Sequence, residues 1–149
     1  MGRFSERATA MSDYPRYTLN RSLVILVPQQ PFFDWIMAVD TDPVPSLTLE
    51  NVREDQSTFL VPDEVSNAAQ AVQWVEERWR AFFEFMLGEW FEESAWPAAL
   101  TLEQFREWFT VQHHSTVFDM ALDFGIEHED WEAEEEEEDD GEPGLHRLH

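Results

Sequence analysis

Apolar positions recur along the chain with two different periods, and each change of period marks an element. Residues 22–27, Ser-Leu-Val-Ile-Leu-Val, form a continuous apolar run that stops at Pro28. Such a run predicts a central strand covered on both faces or nearly so. Pro31 suits the first turn of a short helix over residues 32–39, where a missing N–H costs nothing. Residues 40–55 carry Pro43 and Pro45 followed by Leu47, Leu49 and Val52, and read as a loop with one short element near its end. A second strand is expected over residues 56–61, ended by Pro62.

From Ala68 the period lengthens. Ala71, Val72, Val75, Trp79, Phe82, Phe83 and Met86 lie at helical spacing and predict one long helix, closed by Gly88. Trp74 and Phe85 lie off that stripe, so the helix is expected to bury more than one face. Residues 89–100 are turn-rich and hold Trp90, Phe91 and Trp96-Pro97. Thr101 with Gln104 makes a capping box that opens a short helix with Phe105, Trp108 and Phe109 inward. Residues 111–120 then read as the third strand.

The predicted order is β-α-β-α-α-β: an α+β fold with one long and two short helices on a small three-stranded sheet. The pattern leaves strand order and direction open. Residues 1–18 read as a polar, flexible lead-in and 19–126 as a single domain. Residues 127–149 read as a disordered acidic tail, because the seven consecutive carboxylates at 134–140 repel one another and bury nothing. Met11 offers an alternative start to Met1.

Composition adds charge to this picture. The chain has 149 residues, 9 basic and 32 acidic, for a net charge of −23, and every basic residue is Arg. Residues 127–149 hold 12 of the acids against one arginine, a charge of −11 that leaves −12 on the rest. The body is therefore acidic in its own right. Such a field repels nucleic acid and anionic membranes and attracts basic proteins. There is no cysteine, hence no disulfide and no thiolate chemistry. No run approaches the roughly 20 apolar residues of a membrane span. The polar start lacks a signal-peptide core, so a cytoplasmic location is expected.

Residues 21–28, Gln30-Pro31-Phe32, Trp35, Trp96-Pro97, Trp108-Phe109, His114-Ser115, Val117 and Asp119 together resemble an uncharacterised family of small acidic bacterial proteins. The resemblance covers residues 19–121. It implies no activity, and no residue role is carried over from it.

Candidate chemistry is sparse. His113, Ser115 and Asp119 share one face of the predicted third strand and are the residue types of a hydrolase triad. Neighbours two apart on a strand are separated by about 6.5–7 Å, whereas a nucleophile and its base need about 2.6–3.2 Å. A polar strand face is the simpler reading. Glu89, Glu92 and Glu93 cluster beside Trp90 and Phe91, which reads as a carboxylate rim around aromatic anchors rather than a glycosidase pair. No glycine-rich phosphate loop, HExxH motif or calcium loop is present, so no catalytic, metal or cofactor residue is assigned.

The expectation is a non-enzymatic, cytoplasmic interaction or regulatory protein with an acidic surface. Trp90, Phe91, Trp96, Glu89, Glu92 and Glu93 would contact a protein partner, with Trp90 and Trp96 as its exposed anchors. A first alternative is a nucleic-acid mimic occupying a DNA- or RNA-binding partner. A second is a small hydrolase or metal-dependent enzyme.

Overall fold

The computed structural model describes residues 17–54, 56–121 and 123–131. The expected lead-in, up to residue 16, and the tail beyond residue 131 lie outside the described residues. Contacts divide the chain into a body, Thr18–Phe118, and a second unit to which Tyr17, 119–121 and 123–131 belong.

The body is mixed α and β. Strand β1 (Tyr17–Thr18) leads into β2 (Arg21–Pro28), followed by helices α1 (Gln30–Val39) and α2 (Leu49–Glu54). Next come β3 (Thr58–Pro62), α3 (Ala68–Glu76) and α4 (Trp79–Gly88). A 3-10 turn (Glu93–Ala95) precedes α5 (Leu102–Trp108), β4 (Phe109–His114) and β5 (Phe118–Asp119). The main sheet has the order β3-β2-β4, and β2 runs antiparallel to both neighbours. Strands β1 and β5 pair separately.

Local chemistry explains where the helices start. Pro31 sits in the first turn of α1. Thr48 and Asn51 exchange hydrogen bonds of 3.1 and 3.0 Å at the head of α2. Asn67 accepts from the Gln70 N–H at 2.9 Å, and Thr101 with Gln104 forms the predicted capping box.

Strand β2 is central, as its apolar run predicts, but it is covered on one face only. Ser22, Val24, Leu26 and Pro28 are buried, while Leu23, Ile25 and Val27 stay half-buried. Strand pairing shows why. Val24 lies opposite Phe59 and His113, and Leu26 lies opposite Val111, so these residues share the face on which the helices pack. All five helices contribute to that single core: Phe32, Trp35 and Ile36, then Val52, Ala71 and Val75, then Phe83, Met86 and Leu87, then Phe105 and Trp108.

The helix predicted as one piece over residues 68–88 is two, separated by a turn at Glu77–Arg78. The buried positions run Ala71, Val75, Phe83, Leu87 with Met86 beside them. Steps of four residues drift about 40° each on an unbroken helix, so the stripe would rotate away from the sheet along its length. The turn lets both halves face the core. Its cost falls on Val72, Trp79 and Phe82, which are half-buried instead of facing inward. Phe83 takes the central place, with its ring 5.7, 5.3 and 5.8 Å from those of Phe105, Trp108 and Phe109.

Strand boundaries also move, and Phe109, expected in the preceding helix, opens β4. The second strand begins at Thr58 rather than residue 56. The third ends at His114, and the expected continuation to residue 120 is replaced by a bend and the separate β5. Residues 120–121 and 123–130 have no regular secondary structure.

Candidate interaction surface

The connection after α4 is built by two indole N–H groups. Trp35 Nε1 donates to the Ala95 carbonyl at 3.2 Å, and Trp96 Nε1 donates to the Phe91 carbonyl at 3.0 Å. Phe91 presses edge-on against Trp35 with ring centres 5.3 Å apart. The end of α4 is closed by N–H groups of Trp90 and Phe91, both donating to the Leu87 carbonyl at 3.0 Å. A buried indole needs an acceptor for its N–H, and backbone carbonyls of the loop supply it.

This wiring separates the predicted anchors. Trp96 and Phe91 are half-buried and packed against the core. Trp96 is therefore not the exposed anchor expected of it: its N–H is engaged and its ring lies against Gly88, 3.6 Å from where a Cβ would sit. Trp90 does reach the surface, at 36% exposure. Glu89, Glu92 and Glu93 are exposed around it.

The structure redistributes the polar cluster of the third strand. His113 faces the core side, where its Nε2 lies 3.2 Å from Ser22 Oγ. Ser22 is fully buried and its hydroxyl donates to the Val65 carbonyl at 3.0 Å. With that proton committed, the Ser22 oxygen accepts from His113 Nε2–H. The histidine is thus a donor here, the opposite of a general base drawing a proton from serine. Ser115 sits beyond the strand end beside Thr116, their oxygens 3.5 Å apart. Asp119 accepts from the backbone N–H of Ala121 at 2.9 Å. Sequence spacing had no way to find Ser22, which lies 91 residues from His113.

Several open hollows mark the described surface. One of about 420 Å³ lies among Asp119, Ala121, Phe124, Gly125, Ile126 and Glu127. Another of about 360 Å³ is bounded by Ala69, Val72, Glu76 and Leu102, and a third of about 210 Å³ by Glu64, Trp74 and Glu77. None of these three is lined by a histidine or a hydroxyl side chain. Among the described residues no three His, Asp or Glu gather as a metal would require, and no helix is long and apolar enough to cross a membrane.

The charges divide just as unevenly. Every arginine among the described residues is engaged within the protein. Arg106 grips Glu76 with two bonds of 2.9 and 3.0 Å, and that carboxylate raises the arginine's pKa. Arg78 lies 3.7 Å over the Trp74 ring, donates to the Trp74 carbonyl and pairs with Glu77. Arg80 pairs with Glu84 at 3.7 Å, and Arg53 donates to the Pro28 carbonyl and to Gln29. Arg21 is held by Asn20. Exposed carboxylates such as Asp63, Glu64, Glu92 and Glu93 have no arginine beside them among the described residues.

Comparison of the chain with protein-family models, with curated proteins and with solved structures gives no match.

Proposed function

We propose that the protein is a non-enzymatic, cytoplasmic interaction or regulatory protein. Its acidic body takes a basic protein partner, and Trp90 is the aromatic anchor. The observation that supports this reading is the unequal use of charge: the arginines of the body are engaged internally, and exposed carboxylates such as Asp63, Glu64, Glu92 and Glu93 have no arginine beside them among the described residues. Such a surface concentrates a cationic partner by long-range attraction, while an exposed aromatic supplies contact area. Phe91 and Trp96 contribute by holding the Trp90 loop in place.

Affinity capture on the immobilised full chain tests this. One dominant basic partner should be retained, released by added salt, and weakened at least several-fold by Trp90→Ala. The nucleic-acid-mimic reading is the special case in which duplex DNA displaces that partner. Removing residues 127–149 separates body from tail, since retention by the shortened chain assigns binding to the body. Turnover in a hydrolase screen that His113→Ala abolishes would overturn the proposal.

A further inference from the structure

Residues 118–127 carry a pattern that the fold does not use. Apolar side chains stand at every even position, Phe118, Met120, Leu122, Phe124 and Ile126. Acidic or small ones stand at every odd position, Asp119, Ala121, Asp123, Gly125 and Glu127. Strict alternation of this kind is the pattern of a strand with one face covered. A helix would scatter the same apolar residues into two groups about 120° apart, and Gly125 disfavours one. Yet only Phe118–Asp119 form a strand, the short β5 paired with β1. Residues 120–121 and 123–127 have no regular secondary structure. Phe118, Met120, Phe124 and Ile126 are between 47% and 72% exposed. The hollow of about 420 Å³ is walled by Phe124 and Ile126 and is also lined by the carboxylates of Asp119 and Glu127.

We infer that residues 118–127 are a recognition strand, which extends along the open sheet edge of a basic partner. The backbone pairs with that edge, and the even side chains enter an apolar groove beside it. Both halves of the partner's chemistry are set by the segment. Apolar side chains recurring every second residue, about 6.5–7 Å apart, need apolar pockets at the same spacing. The odd face carries Asp119, Asp123 and Glu127, and seven consecutive carboxylates follow at 134–140, so lysine or arginine must rim the groove. A second copy of this chain, of net charge −23, supplies no such rim. No proline stands between Pro97 and Pro143, so every residue of the segment keeps an N–H for pairing. The inference rests on the basic partner proposed above, and gives it a contact apart from Trp90.

A disulfide-closed β-hairpin peptide with valines on one face and lysines on the other is a minimal basic sheet edge. Its twin, N-methylated along both edges, keeps the charge and the apolar surface but cannot pair. Isothermal titration into the full chain at roughly 0.05 M NaCl should show the hairpin binding at least about five-fold more tightly than the twin. Hydrogen exchange over residues 120–127 should slow with the hairpin and not with the twin. Phe124→Ser and Ile126→Ser should each weaken hairpin binding at least about five-fold without changing the melting temperature, because both side chains are exposed. Trp90→Ala should leave it unchanged. Equal affinity for hairpin and twin would reduce the segment to a polyanion and overturn the inference. So would no binding up to about 1 mM, or binding indifferent to Phe124→Ser. Slow exchange over residues 120–127 in the free chain would also overturn it, since the segment would then be paired within its own fold. If the hairpin fails while a basic partner is still captured through Trp90, this inference falls and the proposed function stands. If the hairpin binds while no basic partner is retained, the reverse holds.

Discussion

The two faces of strand β2 carry nearly the same side chains and meet opposite fates. Val24 and Leu26 are fully buried beneath five helices, whereas Leu23, Ile25 and Val27 stay half-covered two Cβ directions away. Hydrophobicity alone does not separate them. What separates them is which side receives the aromatic helices, and the inner side holds Phe32, Phe83, Phe105 and Trp108 as one cluster of ring contacts. The inner face holds the fold together.

Substitutions break or sharpen that contrast. The largest effect is expected at Phe83→Ala, which removes a fully buried ring at the centre of the cluster and should cost about 3–5 kcal/mol in urea titration. A loss under about 1 kcal/mol would mean that the inner face is not where stability resides. The direct comparison follows. Leu26→Ala should cost about 2–5 kcal/mol, and Ile25→Ala, one residue away, less than about half of that when measured at dilute concentration. Equal costs would erase the distinction between the faces.

Ser22→Ala probes the inner face's one buried polar side chain. It leaves the Val65 carbonyl and the His113 N–H without their partner, and should cost about 1–3 kcal/mol by the same titration. Thr101→Ala removes one half of the capping box of α5, worth about 1 kcal/mol in thermal melting. The smallest effect belongs to Glu76→Gln. Its pair with Arg106 is well formed but lies at the surface, so the shift in urea midpoint should be the smallest of these, and smaller still in high salt.

The arrangement of the candidate surface was only partly legible. Trp90 and Trp96 occupy one connection and look equivalent as letters, yet a carbonyl five residues back captures the indole of Trp96 and turns it into the structure. Sequence spacing groups His113 with Ser115 because the two share a strand face in an extended chain. The strand ends at His114, and antiparallel pairing of β4 with β2 delivers His113 to Ser22 instead. Conversely, the capping box at Thr101, the proline-headed helix after β2 and the central place of β2 were all readable. Each depends on neighbours within a few residues or on an uninterrupted apolar run.

By itself the sequence determined the α+β class, the starts of α1 and α5, and an acidic charge that belongs to the body as well as the end of the chain. Those are set by local backbone chemistry and by composition, which no folding can alter. Only the tertiary structure decided that the long helix breaks at Glu77–Arg78, that β2 is covered on one side, and which tryptophan stays in water. These depend on where a second surface arrives, and neither a side chain's face nor its burial exists until that surface is in place.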